Sequence, residues 1–326
     1  MKVDYSGRPA FEERYKSRKA ANEPGWTDDE GYAKLLAELE KASEAGYVPA
    51  SGRVLELGCG AGNATLWFSE RGFEAHGVDI SPTAIDWAKE RAAQQGLRAE
   101  FRVGDVVTLD GYPDDCFDYV LDGGCLHCII GKDRPICLKS VCRVLKAGGL
   151  CRVATTCGSG TVKKPLDLED GSRFDPQTCC LLRNGVPYYF IALPQDILEE
   201  IASAGLEVLR WEVAEYEGRP TPPFVGGTLF VHARKPASAN GVSRTSERNL
   251  RHGQRVRLHA PDDARLRAPG AGPDGQRRHR AGRRERAGGE GPGRHAGSVE
   301  PVAAVGSCAF GASYLRGALS WTWPWG

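Results

Sequence analysis

Apart from Met1 this chain of 326 residues has no methionine, which excludes a methionine-rich, adaptable binding surface. Nor does any apolar run approach the roughly 20 residues that a helix needs to cross a bilayer. The opening Met1-Lys2-Val3-Asp4 lacks the apolar stretch of a secretion signal. A cytoplasmic chain with no membrane partner is expected. A secreted disulfide framework is missing as well: the 11 cysteines are scattered through a long chain, where a reduced thiol packs as a small hydrophobe. Lysine is absent from residues 237–326, where 15 arginines face 7 acids for a formal charge of +8. The whole-chain +1 therefore conceals a body of −7, a poor match for nucleic-acid phosphates.

The body reads as an alternation of strands and helices. Residues 1–48 form a leading segment with Phe11, Tyr15 and Trp26, then a helix from Asp28 to about Ala45 whose Tyr32, Leu35, Leu36 and Leu39 make one apolar stripe. Strands are expected at Arg53–Leu57, Glu74–Asp79, Ala99–Val103, Phe117–Leu121 and Leu150–Thr155. Helices fall between them from Asn63, from the capping pair Ser81-Pro82, and from Asp133 to Leu145. This order implies right-handed crossovers and a doubly wound, mostly parallel α/β sheet. After a further helix at Pro194, Glu207–Tyr216 and Gly227–Arg234 pair as an antiparallel hairpin, which closes a domain spanning 49–236. The connection 156–193 is long for a compact domain. It leaves the carboxyl edge of the sheet, where open α/β sheets bind ligands, and is expected to cap a substrate.

The chemistry is concentrated in Glu56-Leu57-Gly58-Cys59-Gly60-Ala61-Gly62. Glycines at alternate positions permit a sharp strand-to-helix turn with a ligand against the main chain. A dinucleotide fingerprint needs its third glycine at position 63, which is Asn63. The acid Glu56, two residues before the first glycine, would repel a pyrophosphate there. Asp79, at the end of the next strand, is placed to accept from both ribose hydroxyls of an adenosyl group.

With Gly77-Val78-Asp79-Ile80-Ser81, Gly104-Asp105-Val106, Asp118-Tyr119-Val120-Leu121-Asp122 and Leu145-Lys146-Ala147-Gly148-Gly149 in order, residues 50–235 resemble the class I S-adenosylmethionine-dependent methyltransferases. Locally the text is most similar to the thiopurine and tellurite-detoxifying kind. The resemblance implies a Rossmann-like, seven-stranded sheet with an antiparallel last strand, and S-adenosylmethionine as cofactor. It assigns the cofactor to Glu56, Gly58, Cys59, Gly60, Gly62, Asn63, Asp79, Ile80, Asp105, Val106 and Asp122. Glu56 would orient the loop and the methionine ammonium, and Asp105 would meet the adenine amine.

Asp122 and His127, beyond the fourth strand, are the candidates for catalysis. His127 has the ordinary pKa of a base near neutrality, and a structural role is equally open. His76 is a packed strand residue. The expected acceptor is a small molecule methylated on a heteroatom, since Asp122-Gly123-Gly124-Cys125 departs from the D/N-P-P-Y/F of nucleic-acid amino-methylating enzymes. Two alternatives stand beside it. Cys125, Cys128, Cys157, Cys179 and Cys180 would offer thiolates to a soft metalloid. A non-catalytic adenosyl-binding protein would instead use the tail 237–326 on an acidic partner. That tail is expected to be disordered, with weak polyanion binding at most; a GC-rich gene read out of frame would give the same composition.

Overall fold

The computed structural model describes residues 9–216, 224–237 and 254–258. Two helices lead, α1 (Pro9–Ala20) and α2 (Asp29–Glu44). An alternation follows of β1 (Arg53–Leu57), α3 (Asn63–Glu70), β2 (Glu74–Asp79), α4 (Pro82–Gln95), β3 (Ala99–Val103), β4 (Phe117–Asp122), α5 (Asp133–Val144) and β5 (Leu145–Gly158). Four short strands come next, β6 (Leu166–Asp167), β7 (Arg173–Asp175), β8 (Cys180–Arg183) and β9 (Val186–Phe190). The described chain ends with α6 (Pro194–Ser203), β10 (Glu207–Tyr216), β11 (Val225–Arg234) and β12 (Gln254–Leu258).

Local chemistry sets the helix starts. The Asp28 carboxylate accepts from the Gly31 amide at 2.8 Å and begins α2. The Ser81 hydroxyl accepts from the Ala84 amide at 3.1 Å, with Pro82 in the first turn of α4. The main sheet runs β12-β10-β11-β5-β4-β1-β2-β3, with β3, β2, β1, β4 and β5 parallel and β11 antiparallel to both its neighbours. Strand residues alternate between two buried faces. Val54, Tyr119 and Leu121 pack with Leu35, Leu39 and Phe68 of α2 and α3, while Leu55, Val120 and Val153 pack with Leu138 of α5 and Ile197 of α6.

Three features differ from the sequence reading. Helix α1 was not expected, because its sequence is mostly polar and offers only Phe11 and Tyr15 as an apolar pair. Strand β5 begins at Leu145, whose partner is Phe117; Lys146–Gly149 then loop out before Leu150 pairs with Tyr119. The expected seven-stranded sheet gains an eighth strand at its edge, since β12 lies parallel to β10 with Glu212 opposite Gln254. Its five residues carry too short an alternation to stand out beside the arginine-rich text, and the pairing satisfies backbone groups on the open edge of β10. The expected disorder and polyanion binding of 238–253 and 259–326 fall outside the described residues. No helix among the described residues is long and apolar enough to cross a membrane.

The insertion 156–193 is a small antiparallel sheet in the order β6-β7-β8-β9. Its tightest turn is Asn184-Gly185, both residues at positive φ (53° and 76°) between the paired Arg183 and Val186. That is the two-residue hairpin turn for which Asn-Gly is the strongest local signal.

Candidate active site

The glycine turn links β1 to α3 with Gly58 and Gly60 at φ +60° and +53°, a region that side chains disfavour. Close approach reinforces the choice. A Cβ on Gly60 would stand 2.5 Å from the Tyr15 hydroxyl, and one on Gly58 would stand 3.0 Å from Cys125. The amide of Gly60 donates to Asp79 Oδ2 at 2.9 Å, and Ser81 N donates to Oδ1 at 2.9 Å. The turn is thus held against the tip of β2. Glu56 reaches into the start of α3, where its carboxylate accepts from the amide of Thr65 at 2.7 Å and from its hydroxyl.

Burial makes these acids unusual. It pushes the Glu56 carboxyl up to about 8, against the Thr65 hydrogen bonds that favour its anion and with Asp79 and Asp122 adding repulsion. Asp79 and Asp122 are each raised to about 6, mainly by burial, although backbone amides favour their charged forms. Crowded buried carboxyls gain from a cation placed among them. S-adenosylmethionine brings a sulfonium and an ammonium, so the charge of the site fits it.

One cavity of about 910 Å³ runs over this region, within the size usual for ligand sites. Glu56, Gly58, Cys59, Gly60, Asp79, Ile80, Asp105, Val106 and His127 line it, together with Thr155 and Thr156 from the end of β5. Three expected residues sit behind this wall. Gly62 packs against Phe101 and Ala88. Asn63 accepts through its side-chain oxygen from Arg91. Asp122 turns both carboxylate oxygens onto the amides of Gly124, Cys125 and Leu126, at 2.8, 2.6 and 2.9 Å.

The loop after Asp122 carries His127 in a single 3-10 turn, Leu126–Cys128. Its imidazole stacks on Tyr189 of β9 with ring centroids 4.3 Å apart. Burial, with the Arg134 guanidinium adding to it, pushes the pKa of His127 down to about 3. The imidazole is therefore neutral and a weak proton acceptor. Arg134 itself is 1% exposed; it donates to the carbonyls of Leu126 (2.7 Å) and Ile129 (3.1 Å) and grips Glu200 of α6 at 2.7 Å. It positions the turn that carries His127. His76, in β2, sits edge-on to Phe117 at 5.3 Å and is not part of the cavity wall.

The cysteines do not assemble as a thiolate cluster. Cys59, Cys125 and Cys128 line the cavity, whereas Cys157, Cys179 and Cys180 do not. Burial pushes the Cys128 thiol up to about 12 and Cys125 well above its usual range. Among the described residues no group of three or more His, Cys, Asp or Glu side chains is arranged to hold a metal ion.

The make-up of two walls was not legible in the sequence, although the 156–193 connection was expected to cap a substrate. Phe11, Arg14 and Tyr15 of α1, with Trp26, cover the glycine-turn side. Helix α1 is fastened there by Glu12, which accepts from the Ser81 and Thr83 hydroxyls at 2.5 and 2.6 Å, and by Lys19 paired with Glu90 at 2.7 Å. Leu181, Arg183, Tyr188 and Tyr189 of the small sheet supply the opposite wall. Asn184-Gly185 was the overlooked sign that this insertion is structured.

A family profile for a methyltransferase domain matches residues 54–149, the stretch from β1 to the start of β5. "Methyltransferase GfsG" of Streptomyces halstedii is 28% identical over 207 residues, covering 61% of this chain and 70% of that protein. The 2-heptyl-1-hydroxyquinolin-4(1H)-one methyltransferase of Mycobacteroides abscessus is 31% identical over 142 residues, covering 42% of this chain and 60% of that one. Among solved structures, the 1,6-didemethyltoxoflavin-N1-methyltransferase of Burkholderia thailandensis, bound to 1,6-didemethyltoxoflavin and S-adenosylhomocysteine, superposes with a TM-score of 0.51 at 21% identity. That likeness covers 72% of this chain and 92% of that chain and speaks for the fold. Over residues 54–149 the chain thus carries a methyltransferase domain, and the curated relatives it is similar to are methyltransferases.

Proposed function

We propose that the protein transfers the methyl group of S-adenosylmethionine to an oxygen, nitrogen or sulfur of a small molecule held beneath the 156–193 sheet. One observation carries the reading: a single cavity is lined both by the glycine turn with Asp79 and Asp105 and by Tyr188 and Tyr189. When bound, the cofactor supplies an electrophilic methyl carbon on a sulfonium. Asp79 holds the ribose, the Gly58–Gly60 backbone lies against the methionyl chain, and Glu56 braces the turn from below. Asp122 shapes the His127 loop through its three amide contacts instead of touching the reacting atoms. His127, stacked on Tyr189, forms an aromatic wall for the acceptor, and it acts through position rather than by taking a proton. Incubating the protein with methyl-labelled S-adenosylmethionine and fractionated small-molecule extract tests this. Label in one recoverable metabolite supports the reading. Binding of S-adenosylhomocysteine with no fraction ever labelled supports the non-catalytic alternative.

A further inference from the structure

The far wall of the cavity is aromatic. Tyr189 stacks on His127, and Tyr188 stands 6.3 Å from Tyr189, edge to face. The phenol groups are already engaged: Tyr189 Oη lies 2.6 Å from Thr156 Oγ1, and Tyr216 Oη lies 2.8 Å from Thr228 Oγ1. Their rings are thereby fixed, and what they present is ring surface. The wall also holds polar capacity that the protein does not use. His127 Nδ1 and Thr155 Oγ1 are buried without a hydrogen-bond partner, and each belongs to a residue of the cavity wall. Buried polar atoms in native proteins normally have partners, so such atoms call for an explanation.

Charge narrows the choice. Arg183 is paired with Asp170 at 3.2 Å, Lys34 with Glu30 at 2.6 Å and Arg18 with Glu23 at 2.5 Å, while Arg14 lies over the Trp26 ring at 3.9 Å. Of the five lysines and arginines on the wall, three are thus paired with carboxylates, which leaves a phosphate ester only Arg14 and Lys132.

We infer that the acceptor is a planar aromatic or heteroaromatic ring bearing a hydroxyl or ring nitrogen, packed against the aromatic wall of Tyr188, Tyr189 and His127 with its polar atom toward Thr155. This names the substrate class of the site proposed above and rests on that reading. The acceptor's lone pair forms the bond to the methyl carbon, the carbon–sulfur bond breaks with its pair left on sulfur, and the acceptor's proton, where it has one, passes to solvent. His127, its pKa pushed down to about 3 by burial, is too weak a base to take that proton. The acceptor that suits this surface either ionises readily, as an aryl hydroxyl does and an aliphatic alcohol does not, or offers a ring-nitrogen lone pair with no proton to lose.

Calorimetry on the full chain saturated with S-adenosylhomocysteine tests the inference with three probes: 4-hydroxyquinoline, cyclohexanol and phosphoethanolamine. The expected result is binding of 4-hydroxyquinoline at least about tenfold tighter than either aliphatic probe, as aromatic packing predicts. Tyr188→Leu should weaken it by about tenfold and leave S-adenosylhomocysteine affinity unchanged. Tyr188→Phe should restore it, which separates stacking from a loss of folding. Equal or tighter binding of either aliphatic probe overturns the inference, as does an aromatic affinity indifferent to Tyr188→Leu. Failure of the functional reading looks different: S-adenosylhomocysteine itself would not bind.

Discussion

Asp79 and Gly60 form one hydrogen-bonded unit at the tip of β2, so their substitutions report on the same site in different ways. Asp79→Ala removes the acceptors proposed for the ribose and should cost about 1.5 to 3 kcal/mol in S-adenosylhomocysteine affinity, the range for hydrogen bonds to a charged group. Gly60→Val forces a side chain into a φ of +53° and against Tyr15, and should abolish binding. Calorimetry on both variants checks this, and unchanged affinities would dismiss the assignment. Glu56 carries a pH signature. Its carboxyl is raised to about 8 from 4.5, so the folded protein keeps a proton that the unfolded chain has lost. The stability linked to it is complete below about 4.5 and disappears as pH rises toward 8. Ligand-free protein should therefore lose melting temperature between pH 5 and 8, and Glu56→Gln should flatten that loss above about 7, where Asp79 and Asp122 have largely finished titrating. His127 has the opposite sense: with its pKa lowered to about 3 from 6.5, it should remain neutral in side-chain NMR spectra down to pH 5. A titration centred near 6.5 would reinstate it as a base. Its spacing after Asp122 was visible in the sequence, but its protonation depends on burial beside Arg134 and Tyr189, residues contributed by two other elements.

Between elements, Arg134 and Glu200 join α5 to α6 and hold the carbonyls of the His127 turn. Removing the carboxylate leaves a buried cation short of a partner. Glu200→Ala should destabilise the protein by about 1.5 to 3 kcal/mol, read from urea unfolding, and should also weaken acceptor binding more than cofactor binding. Equal losses for both ligands would mean that the pair serves only general stability. Helix α1 illustrates what periodicity overlooks. It docks through Glu12 on Ser81 and Thr83 and through Lys19 on Glu90, and polar docking leaves no apolar stripe to read. The four short strands escaped for another reason: none buries more than two residues, and only the Asn184-Gly185 turn marked them locally.

Over the whole chain, the residues that line the cavity fall between Ala10 and Thr228, before the arginine-rich stretch begins. A chain ending at residue 260 should keep both its melting temperature and its cofactor affinity. One ending at 236 loses β12 and bares the edge of β10, and it should show more concentration-dependent association in sedimentation while still binding S-adenosylhomocysteine. Loss of cofactor binding on removal of 261–326 would tie that segment to the site. The parallel strands, their order along the chain and the cofactor turn were all determined by the sequence alone. Each rests on contacts within a few residues: alternation of buried side chains, a capping hydroxyl at Ser81, glycine where φ is positive. Tertiary structure decided which acids stay protonated, that Asp122 serves its own loop, that Cys157, Cys179 and Cys180 lie apart from Cys125, and that α1 and the 156–193 sheet face one another across a single cavity. Those outcomes depend on residues far apart in the chain meeting in a dry interior, where burial changes the cost of charge and no local pattern records the neighbour.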